Sequence, residues 1–345
     1  MKRFAVAVIS TLLFLLVSFG AHGADATGTA VNSLAMLDIY SSSEGSMLNY
    51  FTLRPVMEYC NTEGNCKGIL FDGVIFSGSK AFDDADGVMG YVDDLCVKGV
   101  FAGAEQTGNE LYENSYLAEG EKYPLYAVFP YSKSFFDTDS EVYEFCRYYV
   151  DTLVFAFESK GYERISLAGL YFGSEFAADE DLRRFCISLC REKGLTSVCS
   201  DKTMEDCDIV LDSTVTLKGV PSDSDKAFAA QLFTDAKEYV CGDDNASVLF
   251  TFDAYNTPYE CGAGLEENPP NQTARLTYEA IRATLRGDIA SLEEMEAELG
   301  LAVNNGEDGV GRVPGKAEYA FYVFLSVTAA ACFVYMLFAL FRRKR

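Results

Sequence analysis

The residues best placed to do chemistry are the carboxylates that follow apolar, strand-like runs. Glu175 closes the phrase Leu170-Tyr171-Phe172-Gly173-Ser174-Glu175, Asp253 follows Phe250-Thr251-Phe252, and Asp212 follows Ile209-Val210-Leu211. Asp38 and Asp72 lie within or beside two further runs. Glycoside hydrolysis needs two carboxyl groups, one to protonate the leaving oxygen and one to attack or to activate water. A separation of ~5–5.5 Å goes with retention of configuration and one of ~6.5–9.5 Å with inversion. Glu175 is the candidate general acid/base, Asp253 its catalytic partner and Asp72 the reserve. Tyr131, Tyr171, Phe172 and Tyr255 are candidates to stack on a sugar ring, and Asp212 is a further substrate-binding candidate. A competing structural reading stands beside each: an Asp after a strand commonly closes a turn or caps the next helix, and a Glu in a first turn favours the helix dipole.

Composition narrows the alternatives. The chain has one histidine, His22, inside an N-terminal segment expected to be removed. Without a histidine, Ser-His-Asp and Cys-His catalysis and His-ligated metals are excluded. There are no paired C-x-x-C motifs and no glycine-rich loop after a strand, so neither a zinc ribbon nor a phosphate-cradling nucleotide site is expected, and no cofactor is assigned. Asp84 to Asp93 holds fragments of an EF-hand loop, but Phe82 occupies the first ligand position. The formal charge is −24. It repels phosphate, so nucleic acid is not an expected partner. The absence of Trp counts mildly against a sugar cleft.

The elements that must position these carboxylates alternate along the chain. Strands are predicted at 34–40, 69–76, 123–129, 165–172, 195–199, 208–211 and 247–252. Helices are predicted at 48–60, 83–97, 109–117, 140–160, 179–193, 222–240, 273–285 and 291–299. Asp139 or Ser140 is the expected cap of the long helix and Gly161 its stop. Continuously apolar strands fit a parallel sheet covered on its far face. Seven β-then-α units over about 257 residues match a (β/α)8-like barrel with seven clear strands and the eighth not found. The alternative is a doubly wound open sheet. In a barrel the carboxyl ends of all strands share one rim, and that is where Glu175 and Asp253 would meet.

The two ends of the sequence read as topology signals. Residues 1–23 carry a basic start, an apolar run from Phe4 to Phe19 and small residues, the layout of a secretory signal peptide. Residues 302–316 read as a flexible linker and 317–341 as a transmembrane helix. The uncharged stretch Tyr319 to Phe341 is long enough to cross a ~30 Å hydrocarbon core, and the basic tail Arg342-Arg343-Lys344-Arg345 would stay cytoplasmic. The expectation is a single-pass protein of the cell membrane with an extracellular domain at 32–301. Of the 28 basic residues, removing the six at the two ends leaves 22 against 52 acidic ones, about −30 for the outward part. Of eleven cysteines, Cys332 falls in the span and ten remain outside. An even number in an exported domain points to disulfides. Cys60 with Cys66, bracketing the polar loop 61–65, is the first expected pair and Cys241 with Cys261 the second. Cys186 and Cys190 share one helix face, which leaves each open to other partners.

Three phrases carry a family resemblance: Phe71-Asp72-Gly73-Val74-Ile75-Phe76 with the following Ser77 to Phe82, then Pro130-Tyr131, then Leu170-Tyr171-Phe172-Gly173-Ser174-Glu175. Together they resemble an uncharacterised bacterial family of exported, glycosidase-like TIM-barrel domains of unknown function. The resemblance covers roughly Leu34 to Gly287. It implies a barrel acting on, or binding, carbohydrate such as a cell-wall or other extracellular glycan. A non-catalytic cell-surface binding domain is the alternative. The sequence departs from the family pattern where Phe172 replaces a Trp, where Thr251 stands in place of a Glu, and where no eighth strand follows the helix 273–285.

Overall fold

The structure, a computed structural model, describes residues 33–40, 48–61, 65–78, 82–217, 247–252 and 272–298. The expectations for residues 1–23 and 302–345, the helix at 222–240, Asp253, Tyr255, Cys241 and Cys261 lie outside these residues.

The described strands are β1 (Ser33–Asp38), β2 (Glu58–Cys60), β3 (Cys66–Ile69), β4 (Gly73–Ser77), β5 (Tyr123–Phe129), β6 (Ile165–Phe172), β7 (Thr196–Cys199), β8 (Ile209–Val210), β9 (Ser213–Leu217) and β10 (Val248–Phe252). The described helices are α1 (Tyr50–Met57), α2 (Ala85–Cys96), α3 (Val100–Glu113), α4 (Asp139–Glu158), α5 (Glu180–Glu192), α6 (Gln272–Leu285) and α7 (Ile289–Glu298). Eight strands form one sheet in the order β8-β7-β6-β5-β4-β1-β10-β9. Every pairing in it is parallel. The fold is therefore α/β, with a parallel sheet curled as a half-barrel.

The curl follows from what each face buries. Successive strand residues point to opposite faces. One face contributes Ala35, Leu37, Val74, Phe76, Leu125, Phe129, Leu170, Phe172 and Phe250 to a large core shared with helix residues such as Leu95, Phe101, Tyr149, Leu153 and Ile187. The other face gathers Leu34, Ile75, Tyr126, Val128, Tyr171, Val198, Leu211 and Leu249 into a second core that contains no residue of a described helix. Side chains of one sheet face packed against one another in this way go with a curled sheet. That explains why these strands are apolar on both faces rather than alternating.

The two edges of the hydrogen-bonded order, β8 and β9, are adjacent in the chain, separated by Leu211-Asp212. The N–H of Leu211 donates to Cys199 O (2.8 Å) on the β7 side, and the N–H of Asp212 donates to Ser247 O (3.0 Å) on the β10 side. Residues 209–217 thus serve first one neighbour and then the other. The short strand expected at 208–211 is the first half of this segment.

Local signals place the helices. A reciprocal cap between Thr138 and Glu141 starts α4, one position before the expected Asp139 or Ser140. Beyond its end, Gly161 adopts φ 63°, a left-handed stop. The helix expected at 48–60 ends earlier. It contains Pro55, and from Glu58 the chain turns extended to form β2, which pairs antiparallel with β3. The helix expected at 109–117 instead begins at Val100, directly after the left-handed Gly99. Cys60 and Cys66 face each other across the β2–β3 hairpin, but both are free thiols here, so the expected disulfide is not formed. Among the described residues no helix is long and apolar enough to cross a membrane.

Candidate functional site

Several of the candidate side chains sit at or just past the carboxyl ends of the sheet strands. The β6 strand runs to Phe172, and the chain then forms a short 3-10 turn, Ser174–Ala178, carrying Glu175. Phe176 anchors this turn. It is fully buried and packs edge-on against Phe129, Tyr131 and Phe172, with ring centroids 5.8, 5.1 and 5.1 Å away. Below it the buried Arg183 donates from Nη1 to Phe176 O (3.1 Å) and Ala177 O (3.3 Å), while its Nε pairs with Asp206 at 2.8 Å. Arg183 is a positioning residue that sequence reasoning missed; its only sequence signal is a charged side chain on the apolar face of α5.

Glu175 itself is exposed, and its carboxylate folds back over the α-carbon of Gly173. A Cβ at position 173 would lie 2.6 Å from Glu175 Oε1, so any larger residue there would displace the exposed carboxylate. Tyr171, on the concave face, exchanges a 2.7 Å hydrogen bond with Ser200 Oγ just past β7. Burial pushes the Tyr171 phenol upward, the bond to Ser200 offsets part of that, and the negative charge of Glu175 adds to it. The Tyr131 phenol is also raised, by burial first, then by Asp179 and by Glu175. Glu175 is thus close enough to act electrostatically on two tyrosines of the same rim. Asp38, at the end of β1, alternates with Leu34 and Met36, which places it on the concave side at the same end of the sheet. Its Oδ1 accepts from the Tyr40 N–H at 2.8 Å.

The other candidates are distributed differently. Phe172 is not available to a ligand. It alternates with Tyr171, faces the helices, and is fully buried in a stack with Phe129 at 5.2 Å. Asp72 precedes β4 and Asp212 precedes β9, so both sit at the amino ends of strands, the end opposite Glu175. There they do structural work. Asp72 Oδ2 accepts from the N–H (2.9 Å) and the hydroxyl (3.2 Å) of Ser33 at the start of neighbouring β1. Asp212 Oδ2 accepts from the N–H and hydroxyl of Ser247, each at 3.2 Å. Asp208 makes the same clasp with Ser197 at 2.9 and 2.6 Å. In all three the aspartate N–H donates back to the serine hydroxyl. The sequence shows the aspartates but not their serine partners, which are remote in the chain. A cavity of about 220 Å³ opens at this amino rim beside Asp72, lined also by Ser33, Arg282 and Arg286. Asp253 and Tyr255 lie outside the described residues. Among the described residues no group of three or more potential ligand side chains could hold a metal ion.

No protein-family model matches this sequence, and no curated protein matches it.

Proposed function

We propose that this chain is a membrane-tethered, extracellular barrel-type domain that recognises carbohydrate at the carboxyl rim of its sheet. The carrying observation is the exposed Glu175, whose carboxylate lies over Gly173 just past the end of β6 and acts electrostatically on the Tyr171 and Tyr131 phenols. A carboxylate accepts hydrogen bonds from sugar hydroxyls, Ser200 donates and accepts, and the half-buried Tyr131 offers an aromatic face, while the buried Tyr171 orients Ser200. The exposure of Glu175 leaves its carboxylate open to accept hydrogen bonds from a ligand's hydroxyls, which favours recognition. The resemblance of its three phrases to exported glycosidase-like domains favours the same ligand class. Barrel closure is part of the proposal: residues 209–217 bridge β7 and β10, and seven strand positions then complete a ring.

A hydrolytic role is the second reading, and strand placement favours it. The last described residue of β10 is Phe252, and β10 is separated from β6 by β5, β4 and β1, so in a closed ring the carboxyl ends of β6 and β10 lie on opposite sides of the mouth. Export and tethering rest on the apolar segments 4–19 and 319–341 and the basic residues that flank them.

The test is a panel of polysaccharides assayed with the purified chain for binding and for cleavage. Glu175→Gln is expected to weaken binding at least tenfold with the fold unchanged; if cleavage is seen, its rate falls by orders of magnitude in the same variant. Unaltered binding and turnover in Glu175→Gln would remove this rim from the function.

A further inference from the structure

Two cavities share one pair of lining side chains, Arg282 and Arg286. The Arg286 N–H donates to Arg282 O at 3.2 Å, so the last turn of α6 carries both arginines on one helix face. Arg282 is held over the Tyr59 ring, its guanidinium carbon 3.7 Å from the centroid. Its carboxylate partner, Glu279, stands 3.8 Å from Nη1 and is already shared: it pairs with Arg275 and accepts from the Tyr59 hydroxyl at 2.8 Å. Arg282 Nε is buried and has no hydrogen-bond partner among the described residues. Arg286 is exposed and forms no ion pair among the described residues, although its charge reaches Asp288. In a chain with 52 acidic and 28 basic residues, two guanidiniums so weakly compensated are a local reversal of sign.

The two cavities differ in what opposes these cations. The first, of about 250 Å³, is also lined by Glu279, Asp288, Glu294 and Glu298, four carboxylates against two guanidiniums. The second, of about 220 Å³ at the amino rim, sets a single carboxylate against the same pair. That carboxylate is Asp72, whose Oδ2 is engaged by both donors of Ser33. An anion therefore meets net attraction only in the second cavity. Ile69, Leu70 and Leu285 add an apolar wall to it.

We propose that the amino-rim cavity beside Asp72 binds a tetrahedral oxyanion, the phosphate or sulfate group of a small molecule, between Arg282 and Arg286. Guanidinium N–H groups donate to such oxygens in charge-assisted pairs, and two arginines one turn apart present more donors than one oxygen needs. Tyr59 holds Arg282 in place beforehand, which lowers the ordering cost of binding. The cavity is smaller than the ~300–1,000 Å³ of sites for drug-sized molecules, so the body carrying the anion is no larger than about one sugar ring. This site lies at the opposite end of the sheet from Glu175 and does not depend on the carbohydrate reading of that rim.

The experiment is calorimetric titration of the full chain, at constant ionic strength, with glucose 6-phosphate, glucose 6-sulfate, inorganic phosphate, inorganic sulfate and glucose. The esters are expected to bind at millimolar concentration or below, and glucose not to bind. Inorganic ions binding as tightly as the esters would identify the free ion as the occupant; weaker binding would identify the ester. Arg286→Gln should weaken binding at least tenfold, and because that side chain is exposed the thermal midpoint without ligand should not move. Arg282→Gln should weaken binding as much, with circular dichroism to check that loss of the Tyr59 stack leaves the fold intact. Asp72→Asn removes the opposing charge and should tighten binding several-fold, whereas Glu294→Gln, which faces only the other cavity, should change it little. Glu175→Gln should bind these anions as the parent chain does. No binding of any of the four anions, binding that survives Arg286→Gln, or tightening in Glu294→Gln but not in Asp72→Asn overturns the proposal.

Discussion

Asp72 and Ser33 hold each other reciprocally across β4 and β1: Asp72 Oδ2 accepts from both donors of Ser33, and the Asp72 N–H donates to the serine hydroxyl at 3.2 Å. The same arrangement recurs between Asp208 and Ser197 and between Asp212 and Ser247. Each clasp fixes the register of two parallel strands at their amino ends, where no turn does so.

Asp72→Ala removes one clasp from a solvent-accessible site. Charge-assisted bonds contribute more than neutral ones, but exposure reduces the effect, so the expected loss is about 1 kcal/mol. Denaturant titration checks this. Carbohydrate binding should be unchanged; a variant that folds but no longer binds would move the site to the amino rim.

Gly173 has φ −68° and ψ 166°, a conformation alanine adopts freely. Gly173→Ala therefore acts through the added methyl group alone, which displaces the Glu175 carboxylate. Ligand affinity should fall several-fold with thermal stability nearly unaltered. In a Glu175→Ala background the same substitution should do nothing further, and a double-mutant cycle reads that coupling. Additive effects would separate Gly173 from Glu175.

Glu58 is fully buried among Arg54, Glu110 and Cys66, and its carboxyl is pushed up to about 7, by burial first and then by Glu110, with Arg54 opposing both. The folded state thus holds this proton more tightly than the unfolded chain, whose glutamate titrates near its ordinary value of 4.5. The resulting stability is complete below about pH 4.5 and is lost as the pH rises through about 7. The size is on the order of 3 kcal/mol. Stability measured between pH 4 and 8 should decline through this window, and Glu58→Gln should flatten the decline. An unchanged slope in that variant would assign the pH dependence elsewhere.

Much of the framework was legible because it depends on short-range pattern. The run Ile165–Phe172 becomes β6 without a shifted residue, and Gly161 and Gly194 stop α4 and α5 with left-handed angles. What escaped depends on partners distant in the chain. Nothing near Asp72 announces Ser33 as its partner, so a strand-starting carboxylate was indistinguishable from a catalytic one. Phe172 was placed beside a ligand because strand 165–172 is apolar on both faces, which hides the alternation that sends Tyr171 inward and Phe172 under the helices. Strand β2 was absorbed into a helix because Tyr50–Met57 has a genuine helical start, with Asn49 and Thr52 capping one another, and Glu58 to Cys60 carry no turn residue. Glu175 lies just past β6, where the strand prediction put it, whereas nothing in the sequence pointed to the buried Arg183 that holds its turn.

The pairing of β1 with β10 aligns Ser33 with Val248. During synthesis, one edge of β1 therefore stays open until more than two hundred further residues have left the ribosome. An arrested or prematurely terminated product presents that bare edge, and the apolar residues behind it, to any other nascent chain. A holdase that shields the N-terminal half until translation finishes would limit aggregation more than one acting on the completed protein.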